Sequence, residues 1–345
     1  MTSIKNVVFG CLISLVCGAQ ANAQEPSPFQ PHEVSVPDGA PYLTRDGAVR
    51  IVGNDGWEAI VAQFDELFLK THPRFGRKFE TVLKGSSVAI PGIETEVSAF
   101  APMGRSIWEA DRTAFRIYHG YVPLDIRVGY DGFGPREGKK TPPAIYVNAK
   151  NTLPGLTVEQ VQQILTEGNP KGDASLWGAV TKDPKWAGRK IHIYGLDSTS
   201  GGNGWFRAEF LAGRTFSRSY EALPKVADVL QALAQDPYGI ALLGFADAGA
   251  VAKDVRLLPI AKMEGSPFLL PGYEETHADA YPFPSYLHIY LNRKPGTPTD
   301  PFAKEYMRMV LSREGQAIIA GQKETPEGYV PLAPKLIADE LKKLE

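Results

Sequence analysis

Val49-Arg50-Ile51-Val52-Gly53-Asn54-Asp55-Gly56-Trp57-Glu58-Ala59-Ile60-Val61 is the stretch that decides the fold class. Its first four residues are mostly β-branched and read as a short strand, and Gly53 to Gly56 make a polar turn. Trp57, Ile60, Val61, Phe64, Leu67 and Phe68 then recur at helical spacing, so one face of the next segment is apolar. Asn54 or Asp55 is placed to cap that helix. A strand running through a small polar turn into an amphipathic helix is the building unit of an α/β fold.

The same pattern returns along the chain. Phe79 to Leu83 is strand-like and enters Gly85-Ser86-Ser87. Thr157-Val158-Glu159-Gln160 has the form of a capping box, followed by a stripe of Val158, Val161, Ile164 and Leu165. Ile191 to Tyr194 is a strand leading into the turn Gly195 to Asn203, after which Trp205-Phe206 opens a helix. Ile240 to Leu243 and Tyr286 to Leu291 read as further strands, and Phe302, Tyr306, Met309 and Val310 share one face of a late helix. Alternating strands and helices predict mixed, largely parallel sheets flanked by helices.

Residues 1–23 are set apart. Lys5 begins a short positive region, Val7 to Val16 is apolar, and Ala21-Asn22-Ala23 is a small-x-small cleavage pattern, so a signal peptide is expected to end near Ala23. Cys17 follows Leu15-Val16 rather than a small residue, which speaks against lipid attachment there. Both cysteines, Cys11 and Cys17, lie in this segment, so no thiolate chemistry and no disulfide is expected in the mature chain. The remaining chain of about 320 residues exceeds what one core organises, and two domains are expected. Residues 24–45 are rich in Pro and polar residues and read as an extended arm. The full chain has 37 basic and 39 acidic residues without a basic cluster, so nucleic acid is not an expected partner.

Three strand-to-helix turns carry small hydrogen-bonding residues: Asn54-Asp55-Gly56, Ser86-Ser87 and Ser200-Gly201-Gly202-Asn203. Helix N-termini present unpaired N–H groups and a positive dipole end, and in open α/β sheets such turns lie where ligands bind. Several converging turns suit a small anion; each taken alone is also an ordinary cap. No catalytic class is read from the sequence. The histidines His32, His72, His119, His192, His277 and His288 form no metal-ligand pair, and no Gly-x-Ser-x-Gly elbow occurs. Gly132 to Thr141 misses the phosphate-loop pattern because Phe133 holds its first-glycine position and Lys140 its Ser/Thr position. No cofactor and no metal are expected. Trp57 and Trp205 follow two of the candidate turns and read as core residues or cleft lining.

The chain resembles the phosphate-binding component of bacterial phosphate ABC transporters along nearly all of its mature length. The matching stretches are Gly53 to Gly56, Gly85 to Ser87, Ala101 to Ser106, Leu156 to Val161, Tyr194 to Gly202, Tyr281-Pro282 with Tyr286 to Asn292, and Leu311 to Gln316. The resemblance implies a type II periplasmic-binding-protein fold with two α/β lobes closing on a ligand in the cleft between them. Lobe 1 is expected over 46–125 and 275–345, and lobe 2 over 126–274. Carried over by position, the ligand-binding residues are Asn54, Asp55 and Gly56; Ser86 with Ser87; Arg105; and Asp197, Ser200, Gly201 and Gly202. Leu196 stands where the family usually has arginine, and Gly202 where it has threonine. The implied role is a monomeric periplasmic protein that captures phosphate or a related oxyanion for an inner-membrane ABC permease. An organic phosphate, a phosphonate or a less charged ligand remains an alternative cargo, and a sensor or partner protein without a transporter an alternative role.

Overall fold

A computed structural model describes residues 25–136, 139–197, 201–244, 246–247 and 253–345. The expected signal segment lies outside them. The opening motif forms as its residues dictate. Val49–Gly53 is a strand, Asp55–Trp57 one 3-10 turn capped by Asn54, and Glu58–Thr71 an α-helix. That helix buries Ile60, Val61, Phe64 and Phe68 against Phe302, Tyr306, Met309 and Val310 in one core. Trp57 is fully buried in the same core and not at a ligand surface. The strand Phe79–Leu83 pairs in parallel with Val49–Gly53. On the other side, Ala99 N–H donates to Arg50 O at 3.0 Å and Asn54 N–H to Pro102 O at 2.9 Å. Gly53 is required here, because a Cβ at this position would stand 2.6 Å from Pro102 O.

Two larger sheets organise the rest. The first has the order Val330–Pro331, Leu124–Tyr130, Tyr286–Leu291 and Ala101–Met103, antiparallel throughout. The second has the order Val255–Leu258, Ala144–Asn148, Gly239–Leu243, His192–Gly195 and Tyr220–Ala222. Its first two pairings are antiparallel and its last two parallel. The chain leaves the first sheet after Tyr130, builds the second, and returns at Tyr286. The fold is thus α/β with mixed sheets flanked by helices, with more antiparallel pairing than strand–helix alternation predicts. The excess arises where a strand enters a sheet by a long return and not through one crossover helix, as Tyr286–Leu291 does. Trp205 and Phe206 sit in the core under the second sheet, on the helix Gly201–Glu209. No helix among the described residues is long and apolar enough to cross a membrane.

Candidate functional site

Asn54 is the pivot of the best-supported site. Its side-chain oxygen accepts from Gly56 N–H at 2.8 Å, which closes the turn, while its Nδ2 donates to Ser86 Oγ at 2.9 Å. Two strand-to-helix turns, read separately in the sequence, are therefore joined by one side chain. Ser86 opens the helix Ser86–Glu94, and the preceding Gly85 takes φ 111°, a conformation suited to glycine. Arg105 follows the strand Ala101–Met103. Its guanidinium lies 3.7 Å over the Trp108 ring, donates to Ser106 O at 3.0 Å and stands 3.4 Å from Asp111. Burial pulls its pKa down, and Asp111 only partly offsets that. A partly desolvated guanidinium interacts more strongly with an anion than one in open water.

Asn54, Asp55, Gly56, Ser86 and Arg105 line one cavity of about 470 Å³, together with Gly104, Asp131, Glu327 and Tyr329. This volume suits a small ligand. Tyr329 is buried and its hydroxyl donates to Gly56 O at 2.8 Å. Its pKa is raised first by burial, then by the carboxylates Asp131, Glu327 and Asp55. Among the described residues on the cavity wall, Arg105 is the only cation and faces three carboxylates. Arg136 fixes the loop that carries Glu327 and Tyr329, donating to the carbonyls of Thr325 at 2.9 Å and Glu327 at 3.0 Å.

The other expected ligand residues lie elsewhere. Ser87 is exposed and does not line this cavity. Asp197 is exposed and Gly202 half-buried at the start of its helix, and neither lines it. Gly201 begins that helix, and Ser200 lies outside the described residues. Leu196 packs with Tyr194 against the core containing Val229 and Leu233. Its carbonyl accepts from Asn203 Nδ2 at 2.9 Å and Tyr220 Oη at 2.6 Å. Asn203 also donates to Asp197 O at 2.7 Å, so this buried amide shapes the 196–197 turn.

Sequence reasoning missed Asp131, Glu327 and Tyr329. Asp131-Gly132 directly follows the strand Leu124–Tyr130, a signal of the same kind as Asn54 after Val49–Gly53. Glu327 and Tyr329 precede a two-residue edge strand, Val330–Pro331, too short to show a period.

No family model matches the chain. It is 27% identical over 301 residues to the phosphate-binding protein PstS of two Pseudomonas aeruginosa strains, covering 86% of this chain and 87% of theirs. Among solved structures, PstS from Borrelia burgdorferi aligns with a TM-score of 0.52 at 18% identity, over 82% of this chain and 98% of that one. That likeness supports the fold. The resemblance read from the sequence therefore holds, and the chain is similar across most of its length to the phosphate-binding proteins of bacterial phosphate transporters.

Proposed function

We propose that this chain is a periplasmic solute-binding protein that captures phosphate or a closely related protonated oxyanion and delivers it to an inner-membrane ABC permease. The observation that carries the reading is the meeting of Asn54, Asp55, Gly56, Ser86 and Arg105 on one cavity. The similarity to phosphate-binding proteins supports it. In this reading the lobes follow the two sheets, one holding residues 46–130 with 286–345 and the other the residues between. Asp197, Gly201 and Gly202 close on the ligand from the second lobe as a population shift toward the closed state. The role is binding, with no reaction in this cavity. The protein acts as a monomer, released after cleavage near Ala23.

The carboxylates select among oxyanions. A fully deprotonated dianion is repelled by Asp55, Asp131 and Glu327, whereas hydrogen phosphate can donate its hydroxyl to one of them. Sulfate has no such proton at neutral pH. Calorimetry on ligand-stripped protein is expected to show one phosphate per chain, displaced by arsenate and not by equimolar sulfate. Ser86→Ala removes a donor and the Asn54 partner, and is expected to weaken phosphate by about 1–3 kcal/mol. An absence of heat with both phosphate and arsenate would sink the proposal.

A further inference from the structure

Outside the anion cavity, three residues far apart in sequence form a hydrogen-bonded chain. Ser106 Oγ lies 3.2 Å from His288 Nε2, and His288 Nδ1 lies 2.8 Å from Asp125 Oδ1. The side chain of His288 is 4% exposed, whereas Ser106 and Asp125 are half-buried. Asp125 can hold the Nδ1 proton, which leaves Nε2 as an acceptor for the serine hydroxyl. A nucleophile, a base in contact with it and a carboxylate that orients the base make up the arrangement that activates a serine. All three line a second cavity, of about 330 Å³, on the strands Leu124–Tyr130 and Tyr286–Leu291.

Two further features adjoin this chain. The pairing of those strands slips between Leu287 and His288, so Leu287 faces Gly129 while His288 faces Arg127. The extra residue of this bulge is Val128, on the strand facing His288, directly across from the step that carries the base. The cavity also contains Arg112, whose Nε makes no hydrogen bond and stands 3.5 Å from Glu109. Ile107 N–H, next to the serine, is committed to Tyr290 Oη at 2.8 Å, and Arg112 is a cation on the same wall, paired with Glu109.

We infer that Ser106, His288 and Asp125 form an acyl-transfer site that hydrolyses small carboxylic esters. The size limit follows from the cavity volume; Arg112, Arg127 and Lys343 on its wall are offset by Asp125 and Glu209 there and by their partners Glu109 and Glu340, so no charge preference follows. Ser106 Oγ adds to the ester carbonyl carbon while its proton passes to His288 Nε2. The carbon–oxygen bond to the alcohol then breaks, and His288 returns the proton to the leaving alkoxide, giving the free alcohol and an acyl-Ser106. Water, deprotonated by the same imidazole, adds to the acyl carbon and releases the carboxylic acid and Ser106. Ser106 and His288 are the catalytic residues; Asp125 is a positioning residue that acts through His288. None of this depends on what the Asn54 cavity binds.

A fluorophosphonate probe tests the site on the purified mature protein, since its phosphorus accepts a serine oxygen only as fluoride leaves. Mass spectrometry is expected to find one adduct per chain, on the peptide containing Ser106. Labelling is abolished in Ser106→Ala, whose unchanged melting temperature shows that the fold survives. Asp125→Asn is expected to slow labelling by roughly a hundredfold or more and to move the rising limb of its pH profile to lower pH, because the imidazolium loses its carboxylate partner. Arg127 and Lys343 also face Asp125, and Tyr286 and Tyr290 flank His288, so the shift is read against Tyr286→Phe. p-Nitrophenyl acetate is expected to be hydrolysed by the wild-type protein and not by Ser106→Ala. The inference is overturned by an unlabelled wild-type protein, by equal labelling in Ser106→Ala, or by an Asp125→Asn variant with the wild-type rate and profile. In those cases the three side chains are a static hydrogen-bond network.

Discussion

Asp65 lies on the core side of the helix Glu58–Thr71, 8% exposed, and accepts the Tyr306 hydroxyl at 2.7 Å. Burial pushes its pKa from the usual 3.8 up to about 7, and the tyrosine bond only partly opposes that. The folded state thus holds the proton more tightly than the unfolded chain. This carboxyl costs nothing well below pH 3.8, where both states are protonated. Its cost grows as pH rises through about 4 to 7 and is constant above, reaching about 4 kcal/mol as an upper bound. Asp65→Asn keeps an acceptor for Tyr306 and removes the charge. It is expected to raise the melting temperature at pH 8, leave it nearly unchanged at pH 4, and flatten the decline between; thermal denaturation across that range checks this. An equal shift at both pH values would mean that Asp65 is not the group responsible.

Individual elements follow local rules closely enough that many were legible in the sequence. The Thr157 capping box forms with both of its bonds, Gln160 N–H to Thr157 Oγ1 at 3.2 Å and Thr157 N–H to Gln160 Oε1 at 2.8 Å. Val161, Ile164 and Leu165 are buried as their spacing predicts. Thr157→Ala is expected to destabilise the protein by about 1 kcal/mol, read as a lower denaturant midpoint at an unchanged slope. The Asn54 turn was legible for the same reason, since its chemistry is local. The Asn54–Ser86 bond, the wall residues Asp131, Glu327 and Tyr329, and the Ser106–His288–Asp125 chain were not. Each joins residues that only the sheet order brings together, with 182 positions between Ser106 and His288. Periodicity fixes which face of an element is buried, but says nothing about which distant loop shares its end.

At the scale of the whole molecule, the N-terminal arm is a structural part of the fold. Val36 is buried, and Phe29, Val34, Tyr42 and Leu43 pack on the core made by the helices Glu58–Thr71 and Pro301–Val310. Phe29 N–H donates to Glu314 at 2.6 Å, His32 N–H to Glu305 at 2.7 Å, and Arg313 N–H to Ser27 O at 2.9 Å. A mature chain beginning at residue 35 loses these bonds and the Phe29 and Val34 contacts. It is expected to melt several degrees lower than one beginning at residue 24, with phosphate affinity within twofold because the arm does not line the Asn54 cavity. A large loss of affinity at an unchanged melting temperature would contradict this assignment.

The same straps set the order of events during synthesis. His32 waits for a partner 273 residues downstream, and the strand Leu124–Tyr130 for the edge strand at Val330. At about 5–20 residues per second, that interval is on the order of tens of seconds. Until the last helices emerge, the first core lacks one wall, whereas the buried residues of the cores around the second sheet lie between Ala144 and Phe283. The first core therefore locks last, when the tail arrives, after everything the second sheet needs has already been made.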